Sequence, residues 1–480
     1  MPATTRPGPT AFVLAGGGTK GSFEAGVLQY LVAEQGIVPD IITATSAGAL
    51  AATVLAQGRT RDELVTCVAE IEEDLLAMTR VDTVFGQQGW LRALQGTSLG
   101  TFIRSALTEG TRPPFPRRPT PAEPIGPNGP TRAQRRRARK ARRQRRRQLF
   151  RLGSGAVWRL PRARRQLRSS GSAVLNLDPL ADALHNGGPS GIKAVDTTLI
   201  ARPGLQLRLA VTALRAGSLR YVTEEGYLVE DDAVTRAPEL SAGPISVVEG
   251  ALASASVPLV FPPRHLADDD YVDGGVLQII PLRAAVQLGA QRIFAVMAMP
   301  LDLSRDERDY TSATAGMIGL RALGMIGMAD RQAENLAVPL PPDSELTVID
   351  PVIDVVGYFE IEPGLMRINR EYGWLRAADL LADGDDDIRA DMTEKTDALV
   401  TARVEAWTLE ERLFTADGTE VHSGDLALLR EHKRHIRDIL DARKQLAYPL
   451  PDSCDTWWSA YELHNAERPE WLAAVPLDRS

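Results

Sequence analysis

The chain has 480 residues, 44% of them hydrophobic and 24% charged, which excludes a wholly disordered chain and leaves room for a large core or two domains. Its two cysteines, Cys67 and Cys454, lie far apart without metal-type spacing, arguing against a disulfide framework and for a reducing compartment. The net charge of −7 hides an asymmetry: Arg132 to Arg168 carries 17 Lys/Arg and no acid, leaving 38 basic and 62 acidic residues elsewhere, a balance of −24.

Residues 1–10 are Pro/Thr-rich, and the apolar run Ala11 to Ala15 is too short for the core of a secretory leader, so a cytoplasmic location is expected. Ala11 to Ala15 instead predicts a strand. Ser22 to Glu34 has helical spacing, with Phe23, Val27, Leu28 and Leu31 on one side. Ile41 to Thr45 predicts a second strand and Ala47 to Ala56 a buried helix. The uncharged stretch Ile41 to Gly58 approaches membrane-spanning length, but its Ser, Thr, Gln and Gly fit a buried strand and helix better. Arg61 to Met78 predicts an amphipathic helix. This alternation argues for an α/β fold with a mostly parallel sheet covered by helices.

Residues 111–131 are rich in Pro and Gly, and the Arg-rich segment follows, so 111–173 reads as an insertion, expected to be flexible. Patterning resumes near Val174. Leu205 to Leu214 predicts a strand and Tyr221 to Val229 another, paired as a hairpin. Val247 to Ser256 predicts a small-residue helix, Arg292 to Met297 and Leu346 to Asp350 further strands. Residues 381–480 are expected to form a helical extension, for example over Leu426 to Leu446. The apolar stretch Ala315 to Ala329, with Met317, Met325 and Met328, suits plain core or an acyl site.

Three motifs carry chemistry. Gly16-Gly17-Gly18-Thr19-Lys20-Gly21 follows a strand and opens a helix, where backbone N–H groups favour developing negative charge. Gly16, Gly18 and Gly21 also satisfy G-x-G-x-x-G, but a dinucleotide site wants an acid at the end of the second strand, and Asp40 precedes that strand. No Gly-Lys-Ser/Thr follows, so a phosphate loop of the nucleotide-triphosphatase kind is excluded. Ala44-Thr45-Ser46-Ala47-Gly48 joins strand to helix as the nucleophile turn of an α/β hydrolase does, with Ala44 in the first glycine's place. Taken alone, Ser46 is either a nucleophile or a helix N-cap. Tyr271-Val272-Asp273-Gly274-Gly275 is either a site carboxylate in a close turn or an ordinary Asp-Gly hairpin turn.

Together, in this order, the three motifs resemble those of the patatin-like phospholipase family. The glycine run looks like G-G-G-x-[RK]-G with Lys20 as the basic residue, Ser46 falls on the nucleophile, and Asp273 on the aspartate of D-G-[GA]. Ala253-Ser254-Ala255-Ser256-Val257-Pro258 and Phe261-Pro262-Pro263 look like the block before that aspartate. The resemblance covers 11–110 and 174–380. It departs at Ala44 and at Ile279, where family members often have Asn. It implies a three-layer α/β/α hydrolase fold and a Ser46–Asp273 dyad, in keeping with the absence of a catalytic context around His185, His265, His422, His432, His435 and His464. It also implies an oxyanion hole from Gly16, Gly17 and Gly18, supported by Lys20, Gly21, Gly48, Gly274 and Gly275, with no metal or organic cofactor. The expected function is hydrolysis of lipid acyl esters of the phospholipase A or lysophospholipase type. The alternatives are a broad carboxylesterase and a catalytically weak lipid-binding scaffold. Phospholipid is the expected partner. The basic segment suits the anionic inner face of a membrane; the same charges suit nucleic acid or an acidic protein less well, or contact the chain's own acidic remainder. Oligomeric state is not encoded in any motif.

Overall fold

The computed structural model describes residues 8–77, 85–87, 173, 175–188, 192–235, 243–258, 260–301, 326–415 and 423–464. The Arg-rich segment, almost all of 111–173, and Met317 and Met325 lie outside these residues. The strands are β1 (Thr10–Leu14), β2 (Ile41–Thr45), β3 (Gly86–Gln87), β4 (Leu175–Asn176), β5 (Gln206–Ala213), β6 (Ser218–Thr223), β7 (Leu228–Glu230), β8 (Arg264–Leu266), β9 (Asp269–Asp273), β10 (Arg292–Val296) and β11 (Glu345–Ile349). The helices are α1 (Gly21–Gln29), α2 (Ala47–Leu55), α3 (Arg61–Ala77), α4 (Asp178–Asn186), α5 (Thr197–Ile200), α6 (Val247–Ser254), α7 (Leu282–Gln287), α8 (Gly327–Leu336), α9 (Pro363–Leu381), α10 (Asp386–Thr415) and α11 (Ser423–Gln445).

The main sheet runs β11-β10-β1-β2-β5-β6-β7, parallel from β11 through β5 and antiparallel beyond. Both faces are covered, as a parallel sheet requires. Along β1, Phe12 and Leu14 enter the larger core with α1, α2 and α9, whereas Ala11 and Val13 enter a smaller core with Leu282 and Ala285 of α7. That two-residue alternation makes the three-layer α/β/α arrangement legible in a five-residue strand.

Two parts of β5 serve different neighbours on one edge. Its first half pairs with β2, ending at Thr45 opposite Ala210. Its second half pairs with the antiparallel β9, where Asp273 lies opposite Val211. The ends of β2 and β9 therefore converge on adjacent rungs of one ladder.

The expected strand Tyr221 to Val229 is two strands, β6 and β7, divided by a tight turn. Gly226 sits there at φ +82°, its amide donating to Thr223 O. The helix expected over Ser22 to Glu34 ends as α-helix at Gln29 and continues as a π-helical turn over Tyr30–Glu34. Helix α9 crosses α1 closely: a Cβ at Gly26 would stand 1.7 Å from Arg370 O, and one at Gly373 would stand 2.0 Å from Phe23 O. The following helices and the segment after them share the larger core through Trp407, Leu429 and Trp457. Buried Arg443 pins them, pairing with Asp379 at 2.8 Å and donating to Thr396 Oγ1 at 2.7 Å. Among the described residues no helix is long and apolar enough to cross a membrane.

Candidate active site

Ser46 closes β2 and precedes α2 with φ +55° and ψ −124°, a conformation that costs a non-glycine residue of order 1–3 kcal/mol. Three contacts hold it there. Its amide donates to Ser254 Oγ at 2.9 Å, and that hydroxyl donates to Ala210 O at 2.6 Å, tying the turn to β5. Its carbonyl accepts from the Ala49 and Leu50 amides, which starts α2. Gly48 lets α2 lie against β1, since a Cβ there would be 2.6 Å from Ala15 O. The Ser46 side chain makes no capping hydrogen bond. Its Oγ donates instead to Asp273 Oδ2 at 2.6 Å.

Ala44, in place of the expected glycine, is fully buried in the larger core, and φ is not positive there. The strained residue of this turn is Ser46.

Asp273 is fixed at the end of β9. Its amide donates to Ser256 O at 3.0 Å, its carbonyl accepts from Thr212 Oγ1 at 3.0 Å, and its Oδ1 accepts the Gly275 amide at 2.7 Å. Gly274 meets β5 so closely that a Cβ would be 2.3 Å from Ala210 O. Burial pushes the Asp273 carboxyl up to about 7, while the bonds from Ser46 and Gly275 act to lower it. At Ile279 the side chain is apolar and buried. The Ile279 and Ile280 amides instead donate to Asn335 Oδ1 of α8, at 2.8 and 3.3 Å.

The glycine run passes beside the serine: a Cβ on Gly16 would be 3.0 Å from Ser46 Cβ. The Gly16 amide is engaged by Ile279 O at 3.2 Å. The Gly17 and Gly18 amides have no acceptor among the described residues, and Gly18 takes φ +59°. The run is fastened to residues 354–358. Lys20 Nζ pairs with Asp354 at 2.5 Å, the Thr19 amide donates to Tyr358 O at 3.1 Å, and Thr19 Oγ1 donates to Gly357 O at 2.6 Å. Gly21 opens α1 close to α2, where a Cβ would be 3.5 Å from Ala47 Cβ.

Three residues here have no motif of their own. Ser254 lies in a block singled out for its resemblance, but only the fold gives it the Ser46 amide. Asn335 carries no sequence signal. Tyr358 carries none either: its ring lies against Gly18, and its hydroxyl bonds to Ser46, with burial pushing its pKa above the usual phenol range.

A cavity of about 130 Å³ opens on Ser46. Ala47, Leu50, Ala51 and Val54 line it from one face of α2, with Leu177, Leu180 and Leu184 of the α4 region opposite and Phe261 and Phe359 nearby. Met328 is not part of it; that side chain packs on the smaller core.

A mostly parallel α/β/α sheet with a serine on a strained strand-to-helix turn, bonded to a buried carboxyl, defines a hydrolase-like architecture. The family model described as patatin-like phospholipase matches residues 12–286, and the chain belongs to that family, whose members are lipid acyl hydrolases. Solved structures similar to this chain include VipD from Legionella pneumophila, at 14% identity and TM-score 0.29, covering 97% of this chain and 93% of that one. Another is ExoU in the heterodimeric ExoU–SpcU complex from Pseudomonas aeruginosa, at 17% identity and TM-score 0.23, covering 92% and 69%. No curated protein matches the chain.

Proposed function

We propose that this protein hydrolyses acyl esters of lipids, of the phospholipase A or lysophospholipase type, through a Ser46–Asp273 dyad. The observation that carries the reading is the 2.6 Å hydrogen bond from Ser46 to Asp273 at the mouth of an apolar cavity. Ser46 Oγ attacks the ester carbonyl carbon as Asp273 takes its proton, giving a tetrahedral oxyanion. The Gly17 and Gly18 amides and the positive end of α2 stabilise that charge. Collapse breaks the bond to the alcohol, which leaves with the proton from Asp273. Water then attacks the acyl-enzyme, again giving a proton to Asp273; collapse breaks the bond to Ser46 Oγ, which takes that proton back, and the fatty acid is released. A free aspartate, near 3.9, is a poor base, whereas a carboxyl pushed to about 7 is matched to neutral pH. The alkyl part of the acyl group lies in the cavity along α2. The basic residues of 132–168 bring the enzyme to anionic bilayers and raise its local substrate concentration.

A lipid panel assayed with wild type and Ser46→Ala, with released fatty acid measured by mass, tests the chemistry. Fatty-acid release requiring Ser46 and fluorophosphonate labelling at Ser46 are expected. Release that survives Ser46→Ala would sink the dyad. Co-sedimentation of the chain with and without 112–170 tests the membrane role, and equal binding to neutral and anionic vesicles would overturn it.

A further inference from the structure

Most side chains lining the cavity at Ser46 are apolar; besides Ser46, the polar ones are Thr19, whose hydroxyl is spent on Gly357 O, and one that ester cleavage does not use. Among the described lining residues Asp74 of α3 alone is ionisable. It is 8% exposed; the Lys193 amide bonds to the carboxyl, but among the described residues its buried Oδ1 has no hydrogen-bond partner. Lys193, whose charge acts on Asp74, turns its ammonium to Glu70 at 3.2 Å and Glu73 at 3.5 Å instead. Leu50, Ile71, Leu75 and Ile192 stand around the cavity and offer the carboxyl nothing polar. A buried oxygen in that position is costly, and native proteins rarely keep one without a reason.

We propose that the cavity receives a short hydroxylated acyl chain, whose hydroxyl bonds to Asp74 while its carbonyl carbon meets Ser46 Oγ. The proposal rests on the acyl-hydrolase reading and names its substrate class. A hydroxyl is the group that fits. Burial pushes Asp74 to about 7, so both of its protonation states are populated at neutral pH. A hydroxyl donates to the carboxylate and accepts from the acid, and so pairs with either. An ammonium pairs with the carboxylate alone and brings a desolvated charge among leucines. A plain alkyl chain seals the oxygen from water and leaves it unpaired. Size sets the rest: at about 130 Å³ the cavity is close to one that takes benzene, which suits a segment of about six carbons.

Calorimetry on the full chain with hexanamide and the positional hydroxyhexanamides tests this without turnover. Wild type is expected to bind at least one hydroxy isomer about tenfold tighter than hexanamide. In Asp74→Leu that ratio is expected to fall to about one, and Asp74→Ala carries the same expectation should leucine not be accommodated. Equal affinity for all the amides in wild type would mean that solvent satisfies Asp74, and overturns the proposal. So does a preference that persists in both variants, or no measurable binding. Hydrolysis of the matching hexanoate esters is followed in parallel. No hydrolysis alongside an intact, Asp74-dependent hydroxyl preference would end the hydrolase reading and leave this site standing.

Discussion

Replacing Asp273 with asparagine separates what the carboxyl does for chemistry from what it does to the fold. Its rise from 3.8 to about 7 is about three units, or about 4 kcal/mol set against the ionised folded state. The group is 4% exposed, so solvent does little to weaken this. For a carboxyl raised on folding, the folded state holds the proton more tightly. The associated stability is fully present below 3.8 and is lost as pH climbs to about 7. At pH 5 about two units of that loss still lie ahead, or about 3 kcal/mol by pH 8. Asparagine does not titrate and still accepts the Gly275 amide. Urea unfolding of both proteins at pH 5 and pH 8 should therefore show the stability of Asp273→Asn gaining on wild type by about 3 kcal/mol, while its esterase activity is abolished. Wild-type kcat/KM should rise about tenfold per pH unit below about 7 and level off above it. A difference in stability between variant and wild type that stays the same at pH 5 and pH 8 would refute the claim that burial disfavours the ionised carboxylate here.

Other expectations follow from single contacts. Ser254→Ala leaves the Ser46 amide without its acceptor and should cost about 1–3 kcal/mol in unfolding experiments and lower kcat more than it raises KM. Gly18→Ala forces φ +59° on an alanine whose Cβ would lie 2.3 Å from Tyr358 O; loss of fluorophosphonate labelling at Ser46 is expected, and wild-type labelling would count against the loop geometry. Leu50→Trp should fill the cavity, sparing acetyl esters while lowering kcat/KM for hexanoyl esters at least tenfold; an unchanged chain-length profile would remove the cavity from substrate binding.

Where local pattern and final packing agreed, the sequence was legible. Ile41–Thr45 is a strand to the residue because five consecutive positions are buried on both faces of a parallel sheet. Helices α2 and α3 fall within one residue of expectation because their ends are marked by the serine turn and by Arg61-Asp62-Glu63. The expected hairpin forms between β5 and β6, but the division of Tyr221 to Val229 into β6 and β7 was blurred because Thr223 to Tyr227 contains no Asn-Gly or Asp-Gly pair, and Gly226 is held from outside by the Ile245 amide. At the site, the chain writes down Ser46, Asp273 and the glycines, since Ser46 and Gly18 take positive φ and Gly48 and Gly274, the latter directly after Asp273, lie against neighbouring backbone. It does not write down their partners. Ser254, Asn335 and Tyr358 act through ordinary side chains whose neighbours exist only after folding, and Asp74 sits in an unremarkable amphipathic helix. The apparent defect at Ala44 is absorbed because strain falls on Ser46, two residues later.

The convergence of β2 and β9 on β5 makes that strand a splint. The two side chains of the proposed dyad are separated by 227 positions in sequence, yet their spacing is governed by two successive rungs, Ala210 and Val211. Length added between residues 46 and 206, or between 214 and 269, does not enter that spacing. Sliding β5 against one neighbour by a single residue would part the pair by about 3.4 Å and turn β5's side chains to the opposite face. Evolution can therefore rebuild the chain around this enzyme at large scale, provided one eight-residue strand keeps its register.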